Sequence, residues 1–112
     1  MADCVFCRIA AREVAATVVA EDEEVIAIED IAPQAPVHVL VIPRRHVAGI
    51  REVGEDGLLQ RMVATANRVA ELQGIADAGY RLVVNVGEDG GQEVLHLHLH
   101  VLGGRRLAWP PG

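Results

Sequence analysis

Aromatic residues are almost missing from this 112-residue chain: one Phe, one Tyr and one Trp make up 3% of it. A core must therefore come from Val, Leu, Ile and Ala, and stacking on single-stranded bases is excluded as the main means of recognition. Lysine is missing altogether. All ten basic residues are arginine, and against sixteen acidic residues they leave a formal net charge of −6. Such a balance has no global attraction for a polyanion, so no nucleic acid polymer and no anionic membrane is expected as a partner. A small anionic ligand stays open. No apolar run approaches the roughly 18 residues that a membrane span needs, and Asp3 and Cys4 stand where a signal peptide would carry a basic patch and an apolar run. A cytoplasmic location is the expectation. There are only two cysteines, Cys4 and Cys7, and in that setting they are expected as reduced thiols, free, metal-bound or redox-active.

What is present suits one folded domain spanning residues 1–112: 51% hydrophobic, 23% charged, mean hydropathy +0.24. Val5, Phe6, Ile9 and Ala10 fall at helical spacing, which predicts a short helix over Cys4–Glu13 with Asp3 as its N-cap. Thr17–Ala20 and Val25–Glu29 are β-prone runs around the acidic turn Glu21–Glu24. Two prolines make Ile31–Pro36 a loop, and Val37–Ile42 is a central strand with one polar residue, His38. From Asp56 to Gln73, Leu59, Met62, Val63, Ala66, Val69, Ala70 and Leu72 recur at three and four. This predicts one long helix, capped by Asp56 and ended by Gly74. Tyr80–Val86 and Val94–Leu102 complete the strands, around the glycine turn Gly87–Gly91. Five strands with one long and one short helix, and connections mostly too short for crossovers, predict an α+β fold on a five-stranded antiparallel sheet.

The chemistry concentrates in Leu95-His96-Leu97-His98-Leu99-His100-Val101. Side chains of a strand alternate faces, so the three histidines share one face, about 6.5–7 Å apart at Cα, and the aliphatic residues share the other. Three imidazoles on one face suit either of two chemistries. They can ligate a catalytic metal with an open position for water. Alternatively, one neutral imidazole attacks as a nucleophile while its neighbours place a phosphate. The adjacent turn favours the second, since glycine permits the positive φ that aims successive amides at an anion.

The run from Gly90 to Arg105, together with Asp30–His38 and the ending Trp109-Pro110-Pro111-Gly112, resembles the histidine triad family of nucleotide-binding proteins, and most closely its purine nucleoside phosphoramidase branch. The resemblance implies a homodimer with a five-stranded antiparallel sheet in each subunit. It implies hydrolysis of nucleotide conjugates through a nucleotidylated histidine, with no catalytic metal and with AMP or GMP as products. Carried onto this sequence, it makes His98 the nucleophile, with His100 on the phosphate and His38 completing the histidine network. Asn85, Gly91 and Gln92 would face the phosphate and Asp30 the ribose hydroxyls, and Phe6, Ile9, Ile28 and Ile31 would wall the base. Glu93 replaces a serine that some members place against the phosphate and leaving group, and a carboxylate there would attract a cationic amine. Trp109 would reach toward the partner subunit's site. Two further readings stand beside the hydrolase: a nucleotide-binding interaction protein with vestigial turnover, and a hydrolase that uses the three histidines as metal ligands.

Cys4-x-x-Cys7 supplies half of a tetrahedral zinc site. His46 and His96 are the candidates for the other half. The resemblance supports them, because family members with such a cysteine pair use these histidines for a structural zinc, which would tie the first helix to the sheet.

Overall fold

The computed structural model describes residues 3–112. In chain order the elements are α1 (Val5–Ala10), β1 (Val18–Glu21), β2 (Val25–Glu29), β3 (Val37–Pro43), a 3-10 turn (Ile50–Glu52), α2 (Leu58–Leu72), β4 (Tyr80–Val83) and β5 (Leu99–Gly103). The strands form one sheet in the order β1-β2-β3-β5-β4, and every neighbouring pair is antiparallel. This is the α+β architecture that the sequence predicts.

The sheet has two different faces, because β2, β3 and β5 alternate between them. Val25, Ala27, Val39, Val41, Leu99 and Val101 point to one side and pack under Met62, Ala66, Val69 and Ala70 of α2. Ile26, Ile28, Leu40 and Ile42 point to the other side, where Phe6 of α1 covers them. Register then places chemistry beside this second core. Ile28 pairs with Leu40, and Leu40 with His100, so an apolar floor runs across the sheet into the histidines.

α2 begins one position later than the sequence suggests. Gly57, at φ 87°, is the N-cap residue, yet the Asp56 carboxylate still performs the capping, accepting the Leu58 N–H at 3.2 Å. At its other end Gly74 adopts φ 74°. The N–H of Gly74 reaches Glu71 O and that of Ile75 reaches Ala70 O, a Schellman closure. The buried stripe is Leu58, Met62, Ala66, Val69 and Ala70. Val63 and Leu72, expected on it, face outward.

Four other expectations need correction. α1 is capped by Cys4, whose sulfur accepts the Cys7 N–H at 3.3 Å, and not by Asp3; it ends at Ala10, well short of Glu13. β5 starts at Leu99 instead of Val94, and β4 stops at Val83, paired with His100. Residues 94–98 lie outside the ladder because their backbone serves another partner: Leu97 N–H donates to Val47 O at 2.6 Å. Leu95 consequently stands 69% exposed, while Leu97 stays in the α2 core. Alternation therefore holds from His96 onward.

Candidate functional site

Backbone groups fix the proton positions of the histidines one after another. His98 Nδ1 lies 2.7 Å from the carbonyl oxygen of His96. A carbonyl only accepts, so the proton sits on Nδ1 and Nε2 keeps its lone pair. The Gln34 N–H donates to His38 Nδ1 at 3.0 Å, which leaves the His38 proton on Nε2. That N–H donates to His100 Nδ1 at 2.9 Å, which leaves the His100 proton on Nε2. His100 Nε2 is buried and has no hydrogen-bond partner among the described residues. An unpaired buried donor costs about 1–3 kcal/mol, so this N–H is a standing invitation to an acceptor.

Burial favours the neutral form of the His38 and His100 rings. Burial pushes the His38 pKa down, against the pull of the Asp30 carboxylate. Burial, aided by the neighbouring His98 and His38, pushes His100 down to about 4. At neutral pH His100 is therefore an uncharged donor and His38 an uncharged relay.

His98 and His100 open onto a cavity of about 700 Å³. Phe6, Ile9, Ile28 and the fully exposed Ile31 form an apolar wall. Asp30 stands at the edge beside His38, its Oδ2 3.4 Å from His38 Nε2 while Oδ1 accepts the Ala32 N–H. Asn85, Gly91 and Glu93 close the cavity from the side of the glycine turn. No arginine lines it among the described residues, whereas Glu29, Asp30 and Glu93 all do. The cavity is thus apolar at one end and acidic at its rim, with an imidazole lone pair on His98 and an N–H donor on His100 in between.

A second cluster lies directly behind the first. Cys4 Sγ is 3.2 Å and Cys7 Sγ 3.5 Å from His96 Nδ1, and Cys7 Sγ is 3.3 Å from His46 Nδ1. All four ligand atoms fall within 4.8 Å of one another. Tetrahedral coordination with metal–sulfur near 2.3 Å and metal–nitrogen near 2.0–2.1 Å separates sulfur from nitrogen by about 3.6 Å, so the four atoms can close on one ion with small movement. His96 Nε2–H donates to Pro43 O at 2.8 Å, which frees Nδ1 for a ligand bond and holds the ring still. The four residues fit a metal ion.

A family model described as a HIT domain matches residues 11–107. The chain is 47% identical to an uncharacterized HIT-like protein of Synechococcus elongatus, over 98% of this chain and 97% of that one. A crystal structure of a HIT family hydrolase from Legionella pneumophila Philadelphia 1 superposes with TM-score 0.95 at 51% identity, covering 98% of this chain and 100% of that one. A HIT family hydrolase from Clostridium thermocellum gives 0.93 at 50% identity, with 96% of each chain covered. The chain belongs to the histidine triad family.

Within this histidine triad fold the residues singled out from sequence divide into groups. His38, His98, His100, Asp30, Asn85, Gly91, Glu93, Phe6, Ile9, Ile28 and Ile31 all border the cavity, and Cys4, Cys7, His46 and His96 meet behind it. Gln92 turns away. Its Nε2 donates to Ala48 O and Val94 O, and its Oε1 accepts the Gly87 N–H, so it braces the turn. Trp109 lies outside the cavity, 81% exposed, with the Arg81 guanidinium 5.9 Å from its ring centre. The amides of the glycine turn are also less available than the sequence suggests. Those of Gly87, Gly91 and Gln92 are all consumed within the turn. Gly90 is required there for another reason: a Cβ would collide with the Val86 backbone.

Sequence reasoning missed Leu40 and Val94, which also border the cavity. The alternation of His38, Leu40 and Ile42 was a signal for the first. It also missed the backbone groups of Gln34, Pro43 and His96 that set the ring protons, and a backbone atom leaves no trace in residue type.

Proposed function

We propose that this protein hydrolyses purine nucleoside 5′-phosphoramidates, or related nucleotide conjugates, to the nucleoside monophosphate through a nucleotidyl intermediate on His98. The observation that carries this reading is the pair of neighbouring imidazoles lining one cavity, ring centroids 5.1 Å apart, with a lone pair on His98 Nε2 and an N–H on His100 Nε2 that has no partner among the described residues. The lone pair attacks the α-phosphorus while the N–H meets a phosphoryl oxygen. The P–N bond breaks, and the amine leaves with a proton from solvent. The resulting imidazolium directs its Nδ1–H at the His96 carbonyl, whose dipole stabilises the new positive charge. Water then attacks phosphorus and breaks the bond to His98. AMP or GMP and a proton are released, and the neutral ring returns.

The remaining assignments follow the cavity. The apolar wall takes the purine, Asp30 the ribose hydroxyls, and Asn85 the phosphate, while Gly91, its amide spent on Glu88 O, shapes the turn beside it. A rim with three carboxylates and no arginine suits a conjugate of low negative charge, and Glu93 suits a cationic amine as leaving group. We read the four-donor cluster as a structural zinc site, since two thiolates and two imidazoles form a closed set. When bound, the ion would cross-link α1 to the sheet and take no part in the chemistry. β4 is an edge of the sheet, which suits a homodimer joined there, with Trp109 acting on the partner subunit's site. Reduced Cys4 and Cys7 suit the cytoplasm.

The test is AMP release from adenosine 5′-phosphoramidate at neutral pH, comparing wild type with His98→Ala, with acid quenching to trap nucleotidylated protein. Turnover and trapped label should both vanish in the variant. Equal release by the two proteins would overturn the reading.

A further inference from the structure

Very little holds α1 to the molecule. It has six residues, of which only Phe6 is buried, and an isolated helix shorter than about 12–15 residues is marginal in water. Its other attachments are the half-buried Ile9 against the same apolar core, an Arg44 guanidinium at 3.3 Å from Ala10 O and, just beyond its end, an exposed Arg12–Glu21 pair, the kind of surface pair that stabilises by at most about 1 kcal/mol. The strong attachment is the pair of sulfurs flanking Phe6, Cys4 before it and Cys7 after it, which face the rings of His96 and His46.

Phe6 connects the two sites. Its ring stands edge-on to His96, centroids 5.7 Å apart, and edge-on to His98 at 5.2 Å. Its other surface, with Val5 and Ile9, borders the cavity. The sulfurs that meet His96 therefore set the position of the apolar wall. His96 itself belongs to both sites, through its ring to the sulfurs and through its carbonyl to His98.

We infer that the Cys4–Cys7–His46–His96 cluster, closed by a metal ion, is what gives the cavity its base subsite. With the ion bound, Phe6 and Ile9 are held as a wall; without it, α1 detaches and the cavity keeps its phosphate and ribose groups but loses recognition of the base. Cys4, Cys7, His46 and His96 are then positioning residues whose effect falls on affinity for the nucleobase. The inference rests on the nucleotide reading of the cavity.

The experiment measures Zn²⁺ content, then AMP and ribose 5-phosphate affinity by calorimetry, for the loaded protein, the chelator-stripped protein and the Cys4→Ser/Cys7→Ser double variant. Amide exchange over residues 5–11 and thermal unfolding are recorded in parallel. Stripping and the double variant should each weaken AMP at least tenfold and ribose 5-phosphate less than twofold. Exchange over residues 5–11 should accelerate while protection of the sheet and α2 persists. Phe6→Ala should reproduce the AMP loss with its Zn²⁺ retained. Overturning results are equal loss for both ligands, unchanged AMP affinity, loss of the whole fold on stripping, or a chain that takes up no Zn²⁺. If the loaded protein binds neither ligand, the nucleotide reading fails, and unaltered exchange over residues 5–11 on stripping would overturn the clamp separately.

Discussion

The carbonyl of His96 accepts the Nδ1–H of His98 at 2.7 Å. The same residue turns its ring to the sulfurs of Cys4 and Cys7, so one residue orients the His98 ring with its backbone and joins a metal-type cluster with its side chain. Parallel logic runs through the opposite end of the triad, where Gln34 fixes His38 and His38 fixes His100.

Breaking that relay should slow the reaction without emptying the cavity. In His38→Ala, His100 Nδ1 loses its donor, so the His100 proton is free to shift from Nε2 to Nδ1. A kcat loss of about 10- to 100-fold is expected, by analogy with the loss when the hydrogen-bond partner that orients a metal-bound imidazole is removed. The fall in kcat should exceed the rise in KM for adenosine 5′-phosphoramidate, and a change in KM alone would count against the relay.

Glu93 should select the leaving group. Adenosine phosphoramidates of a neutral and of a cationic alkylamine are the comparison, read as the ratio of their kcat/KM values. Wild type should favour the cationic amine by about tenfold, which corresponds to about 1.4 kcal/mol, and Glu93→Gln should bring the ratio close to one. A ratio unmoved by the substitution would remove Glu93 from leaving-group recognition.

Stability should fall on acidification above the carboxylate range. His38, His96 and His100 all have pKa values lowered in the fold, His100 from 6.5 to about 4. Between those values the unfolded chain binds more protons than the folded one, so stability present near pH 7 is lost as pH falls through about 6.5 toward 4. For His100 alone the effect is on the order of 2–3 kcal/mol at most. Denaturant midpoints at pH 7 and pH 5 measure it, and His100→Asn should flatten the dependence.

The helix face of the sheet should behave as an ordinary core. Met62 is completely buried against it, so Met62→Ala is expected to lower unfolding free energy by about 2–5 kcal/mol. Urea unfolding would show this, and a loss below 1 kcal/mol would mean that the core collapses around the gap.

Residue order alone determined much of this protein. Alternation in His96–Val101 separates imidazoles from aliphatics whatever the partner strands are, because strand geometry has a period of two. The apolar spacing of α2 and the unbroken apolar run of β3 likewise declare a helix on a sheet, since each must bury one face. The cysteine pair also announced half of a ligand set. Tertiary structure decided the rest, because it depends on groups far apart in the chain or without a side-chain signature. Backbone atoms of Gln34, His96 and Pro43 chose which ring nitrogen holds each proton. Val47 drew Leu97 out of the ladder and shortened β5. Cys7 meets His46 and Cys4 meets His96 across sequence separations of 39 and 92 positions, and no local pattern encodes a contact made across that distance.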